Sequence, residues 1–204
     1  PAWCGRVARI AKALGVSAIR IDVVPHKISK EEFLPFAIKV LRKTMAEVEP
    51  TGVPLAIENH GAVTNDPEFL DALFKGVGSP LLGLTLDTGN FYWYGHPLSK
   101  LYEIFERFAS RSFHTHLKGI NYPAEEREKQ RPMGWEYGKY QCPIYQADVD
   151  YNRLAAILDK ADYRGDLCIE NEGLGHKKPD EVEAILKKEL ALLVELRQKM
   201  GRAS

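Results

Sequence analysis

Short apolar runs that each end on an acid or a histidine, at a constant interval, constrain this chain more than any other feature. Leu55-Ala56-Ile57 runs into Glu58, Leu84-Thr85-Leu86 into Asp87, and Phe113-His114-Thr115 into His116; 29 residues separate Glu58 from Asp87, and 29 separate Asp87 from His116. An interval of that size fits one strand, one helix and two turns. The segments between the runs carry apolar residues at helical spacing, as in Phe69, Leu70, Leu73 and Phe74 after Asp66-Pro67, or Leu101, Ile104, Phe105 and Phe108 after His96-Pro97. Strands that read as nearly continuous apolar runs and alternate with helices belong to a parallel sheet covered by its helices. Ligands of such sheets lie beyond the carboxyl ends of the strands, where these polar residues stand.

The same grammar extends to both ends. Val7, Ile10 and Leu14 predict an amphipathic helix closed by Gly15, and Val16 to Val24 predicts a strand carrying Arg20 and Asp22, either as an ion pair or as pocket lining. Ser29 to Glu32 reads as a capping box, with Phe33, Phe36, Val40, Leu41, Met45 and Val48 on one face of the helix that follows. Asp150 caps another helix through Leu154, Ile157 and Leu158, Leu167 to Ile169 predicts a last strand ending in Glu170, and Pro179 to Met200 a terminal helix. Residues 121–147 break the rhythm as a polar, aromatic insert with Trp135, Tyr137, Tyr140 and Tyr145, read as a lid or a subunit contact. Residues 1–204 read as a single domain, with this stretch as a loop insert in it.

Bulk properties remove several classes of function. The 28 basic and 28 acidic side chains balance, which argues against nucleic-acid binding, and no run has the unbroken apolar length of a membrane span. Cys4, Cys142 and Cys168 form no close pair, so a disulfide framework is not expected and a cytoplasmic location is.

Four strand ends in successive units carry Glu58, Asp87, His116 and Glu170. Three carboxylates meeting at one mouth repel one another unless a cation lies between them. Three carboxylates and one imidazole suit a hard divalent ion such as Mn²⁺, Mg²⁺ or Co²⁺, with positions left for substrate oxygens.

The phrases Leu55-Ala-Ile-Glu-Asn-His60, Leu84-Thr-Leu-Asp-Thr-Gly-Asn90, Phe113-His-Thr-His-Leu-Lys118 and Leu167-Cys-Ile-Glu170 resemble the xylose isomerase-like (β/α)8 TIM barrels of the sugar phosphate isomerase/epimerase group. The resemblance implies one divalent metal, Mn²⁺ first with Mg²⁺, Co²⁺ or Zn²⁺ as alternatives, held by Glu58, Asp87, His116 and Glu170. In the ketose 3-epimerases of the group two glutamates, here Glu58 and Glu170, remove and return a proton on opposite faces of the substrate. His60, Asn90, Lys118 and Glu172 are the candidate substrate contacts, with a turn-forming role the alternative for His60 and a solvated loop acid for Glu172. His114, deeper on the same face as His116, is expected to support it by a hydrogen bond.

Asn90 stands where many relatives have a histidine, and the relatives' arginine has no counterpart in Gly119 to Tyr122, which weighs against a ketohexose 3-epimerase. The extra histidines of the DNA-repair relative endonuclease IV are also missing, in line with the balanced charge. The predicted strands match the fourth to eighth of the barrel, so the chain reads as truncated, and a homo-oligomer is one way to close it. The expected activity is isomerisation or epimerisation of a small, sugar-like polyhydroxy carbonyl compound through an enediolate. A dehydratase of the inosose or dehydroshikimate type, or a barrel that only binds sugar, is the alternative.

Overall fold

The structure, a computed structural model, describes residues 1–201. It divides into two compact units, Pro1–Leu86 with Arg111–His114, and Asp87–Ser110 with the chain from Thr115 onward.

The first unit contains α1 (Ala2–Ala13), β1 (Ile19–Ile21), α2 (Lys30–Val48), β2 (Leu55–Glu58), α3 (Pro67–Val77) and most of β3 (Leu82–Asp87) and of β4 (Ser112–His116). The strands form one sheet in the order β1-β2-β3-β4, parallel between β1 and β2 and between β2 and β3, with Ile19 opposite Leu55 and Leu55 opposite Leu82. Every residue of β2 is buried, as expected of a strand covered on both faces. Gly83 is required in β3, because a Cβ there would stand 2.1 Å from the Arg111 carbonyl oxygen.

Caps stand where the sequence placed them. Ser29 accepts the Glu32 amide at 3.3 Å while its hydroxyl donates to the Glu32 carboxylate at 2.9 Å, and Asp66 accepts from Glu68 at 3.0 Å with Pro67 as the first helical residue. Two helix faces differ from expectation. In α2 the buried positions include Phe33, Ala37, Leu41, Met45 and Val48, whereas Phe36 is 54% exposed. In α1 the buried face is Gly5, Ala8 and Ala11, and Ile10 and Leu14 point outward. The cause is proximity: a Cβ on Gly5 would lie 3.0 Å from the Glu47 Cβ, so only small residues fit between the helices. The strand expected from Val16 to Val24 contracts to three residues, Ile19–Ile21.

The second unit holds α4 (Thr88–Tyr94), α5 (Leu98–Phe108), β5 (Gly119–Ile120), α6 (Tyr137–Tyr140), β6 (Gln141–Cys142), α7 (Tyr151–Lys160) and α8 (Pro179–Lys199). Its core gathers Phe91, Tyr92, Leu101, Phe105, Phe108, Leu154 and Leu158. The insert is rooted by an antiparallel β5–β6 pair, Gly119 facing Cys142, and is organised by Arg131. That guanidinium is buried, lies 4.5 Å from the ring centres of both Tyr92 and Tyr122, and donates to the carbonyls of Lys129 and His96, each at 3.0 Å. The last predicted strand is reduced to a single parallel bridge between Leu117 and Ile169. Among the described residues no helix is long and apolar enough to cross a membrane.

Candidate metal centre

Asp87 is the last residue of β3 and also the N-cap of α4, so one carboxylate oxygen accepts the Asn90 amide at 2.7 Å. Its other oxygen lies 3.3 Å from Lys118 Nζ and 3.9 Å from His116 Nδ1. His116 ends β4, and Glu170 follows the segment that runs beside it. Leu117 donates to Cys168 at 2.7 Å, Glu170 donates back to Leu117 at 3.1 Å, and the Thr115 hydroxyl donates to the Asp166 carbonyl at 2.9 Å while accepting the Cys168 amide at 3.3 Å. These bonds carry Glu170 Oε2 to 3.4 Å from His116 Nδ1 and 2.9 Å from Lys118 Nζ. Each of Asp87, His116 and Glu170 offers a ligand atom within 4.8 Å of the others'.

The electrostatics match a site made for a cation. Burial raises the Asp87 carboxyl to about 8; Lys118 opposes the rise, and the hydrogen bond to Glu170 adds to it. Glu170 is held below the usual carboxylate range, chiefly by His116, with Lys118 contributing. Burial would lower the Lys118 ammonium, but Asp87, Glu170 and Glu172 together raise it. Two carboxylates and an imidazole within mutual ligand reach, in a buried setting that penalises uncompensated negative charge, fit a divalent ion by donor type as well as by spacing.

Lys118 and Asn90, read as substrate contacts, are both buried and bonded to each other, Nζ to Oδ1 at 3.2 Å. Glu172 accepts from Lys118 at 3.0 Å and from the Tyr137 hydroxyl at 2.7 Å. In the first unit Glu58 ends β2 at 2% exposure and accepts from Arg20, which also pairs with Asp22 at 3.0 Å. His60, in the turn after Glu58, exposes over half its side chain and lies 3.8 Å from Asp22, and its amide donates to Thr64 at 2.8 Å. His114 lies half-buried in β4.

Sequence reasoning missed the residues that position these groups. Thr88 Oγ1 accepts the Lys118 amide at 3.1 Å, and the buried Tyr151 hydroxyl donates to the Lys118 carbonyl at 3.0 Å. Glu189, fully buried in α8, accepts from the Ile144 amide at 3.0 Å and from Asn171 at 3.1 Å, tying down the segment that follows Glu170. Thr88 sits directly beside a recognised strand end, which is a usable signal; Tyr151 and Glu189 read as ordinary helix residues. Phe91 and Tyr92 are fully buried, and the Tyr92 hydroxyl donates to Asp148 at 2.9 Å, so both serve packing.

A family model described as "Xylose isomerase-like TIM barrel" matches residues 2–196. An inosose dehydratase of Clostridium perfringens is 27% identical over 152 residues, which are 72% of this chain and 50% of the relative. The chain thus spans about half the length of the curated relatives it matches. Among solved structures, a xylose isomerase domain protein from Planctomyces limnophilus superposes with a TM-score of 0.73 at 23% identity, covering 98% of this chain and 66% of the other. The IOLI protein, solved with a bound zinc atom, gives 0.70 at 20% identity, covering 97% and 69%. A xylose isomerase-like TIM barrel protein from Mycobacterium smegmatis, in complex with magnesium, gives 0.73 at 16% identity, covering 97% and 66%.

Proposed function

The chain belongs to the xylose isomerase-like TIM barrel family, and from that premise we propose that it contributes the metal-binding half of an enzyme that removes the proton α to the carbonyl of a small polyhydroxylated compound. The observation that carries this reading is the cluster of Asp87 and His116, at strand ends, with Glu170, just after the bridge to Leu117, their ligand atoms within 4.8 Å of one another. Glu58, which ends the strand before that of Asp87, is assigned as the fourth ligand on its sequence position and the family resemblance. A divalent ion in this set, Mn²⁺ by preference, would polarise the carbonyl and neighbouring hydroxyl oxygens and so make the α proton acidic.

The chain's own residues do the rest. Glu170, held ionised, takes the proton, and Glu58 serves as the second acid–base group on the opposite face. Lys118 donates a hydrogen bond to a substrate oxygen as negative charge develops there, with Asn90 and Glu172 beside it. His114 supports His116 from within β4, and His60 lines the rim. Return of the proton on the other face gives epimerisation; its return to the neighbouring carbon gives isomerisation.

Loss of a β-hydroxyl is the second reading, favoured by the named relatives and by the ammonium near the proposed base, which can assist a departing hydroxide. The free cysteines support a cytoplasmic location.

The test is turnover of the full-length protein with ketoses, inosose, dehydroshikimate and hydroxypyruvate, with Mn²⁺ and with chelator. Solvent deuterium at the α-carbon that disappears with chelator or in Glu170→Gln supports proton abstraction; an ultraviolet-absorbing product identifies dehydration. Exchange that persists in Glu170→Gln removes Glu170 from the mechanism.

A further inference from the structure

The Lys118 ammonium has three N–H donors, yet four acceptors surround it: Glu170 Oε2 at 2.9 Å, Glu172 Oε1 at 3.0 Å, Asn90 Oδ1 at 3.2 Å and Asp87 Oδ2 at 3.3 Å. Asp87 and Glu170 belong to the ligand set proposed above, which leaves Glu172 and Asn90 as the lysine's anchors outside that set. Asn90 is 6% exposed and fixed at the start of α4 through its own amide. Glu172 differs: its side chain is 45% exposed and it opens the short 3-10 turn Glu172–His176. What restrains this carboxylate is a donor on each oxygen, Lys118 on Oε1 and the Tyr137 hydroxyl, at 2.7 Å, on Oε2.

Tyr137 comes from the insert. It opens α6, its amide donates to Gly134 at 3.2 Å, and the neighbouring Trp135 and Tyr140 rings stack at 5.7 Å. β5 begins one residue after Lys118, and the insert that leaves it returns through Tyr137 and Glu172 to the lysine's own side chain. The Lys118 backbone is held by Thr88 and Tyr151, outside the insert, whereas its ammonium is tied to the insert through Glu172 and Tyr137.

We propose that Tyr137 is a positioning residue: through Glu172 it fixes the Lys118 ammonium, so that the insert determines which substrate oxygen receives the lysine's remaining N–H. The substrate class this favours carries a hydroxyl or developing oxyanion next to the carbon that loses its proton. An ammonium free to swing serves such an oxygen poorly, because electrostatic stabilisation depends on donors already in place. The catalytic part of this proposal rests on the proton-abstraction reading, whereas the positioning part does not.

Two measurements on the full-length protein separate them. Lysine ammonium protons give ¹H–¹⁵N cross peaks when hydrogen bonding slows their exchange with water, and the Lys118 peak is identified by its loss in Lys118→Arg. Tyr137→Phe and Glu172→Gln are each expected to broaden or shift this peak while other lysine peaks stay in place; a Lys118 peak unmoved by Tyr137→Phe overturns the proposal, whatever the activity. On a substrate that is turned over, each variant is expected to lower kcat about tenfold with KM changed less than about twofold, and the double variant to be no worse than the poorer single. Losses that multiply in the double variant show Tyr137 acting apart from Glu172 and refute it. A wild-type protein inactive on every compound refutes the enzyme reading alone, because the cross peak still decides the positioning.

Discussion

Thr115→Val tests how the Glu170 segment is held. Thr115 is fully buried, and its single hydroxyl makes two bonds to the neighbouring segment, donating to Asp166 at 2.9 Å and accepting from Cys168 at 3.3 Å. Valine keeps the shape and the β-branch but makes neither bond. The Asp166 carbonyl retains the Tyr163 hydroxyl at 2.8 Å, so its loss is that of one ordinary hydrogen bond. The Cys168 amide loses its acceptor in a part-buried position, which costs more than the bond itself was worth. Together the two losses amount to about 2–3 kcal/mol. Because a single backbone bridge joins this segment to the end of β4, the loosening reaches Glu170 two residues on, and metal affinity should fall about tenfold. Urea unfolding followed by circular dichroism measures the first effect and calorimetric titration with Mn²⁺ the second. Thr115→Ser, which keeps the hydroxyl, should lose only about 1 kcal/mol for the buried methyl and retain its affinity. A valine variant within about 0.5 kcal/mol of wild type and with unchanged affinity would refute this account of how Glu170 is placed.

Other perturbations probe the remaining parts. Burial holds the Asp87 carboxyl well above its ordinary 3.8, so its contribution to stability is full below the ordinary value and fades as pH rises through the raised folded value. Metal binding should therefore be accompanied by proton release near neutral pH, seen as a dependence of the calorimetric heat on buffer ionisation enthalpy, and a buffer-independent heat rejects the assignment. Gly89→Ala should destabilise, although alanine ordinarily favours a helix by about 1 kcal/mol, because the new Cβ would stand 2.7 Å from the stem of Lys118; a raised melting temperature contradicts the close approach. Glu189→Ala should cost about 3 kcal/mol in denaturant unfolding by leaving the Ile144 amide and Asn171 without their acceptor, with Glu189→Gln recovering most of it.

Much of the sheet and its polar tips was legible from the residues. Apolar runs of strand length, the interval of 29 residues from Glu58 to Asp87 and from Asp87 to His116, and local caps such as Ser29 and Asp66 are written in adjacent or regularly spaced positions, and local physics is enough to read them. The outward face of Ile10 and Leu14 was not legible, since it follows from how closely Gly5 approaches Glu47, a residue more than forty positions away. Nor was the reduction of the last strand to one bridge, with a threonine hydroxyl doing part of the work of backbone pairing.

At the site the division is similar. Asp87, His116 and Glu170, whose ligand atoms the structure brings together, could be named as candidates from their places after apolar runs, and Lys118, Asn90 and Glu172 from their nearness to them. That Lys118 is shared among Asp87, Glu170, Glu172 and Asn90, and that Tyr137 reaches Glu172 across 35 positions, were decided only when the chain folded. Periodicity and capping act between neighbours and leave a trace in the sequence. The direction of a long polar side chain depends on whichever acceptors the fold brings within about 3 Å, and no local pattern records them.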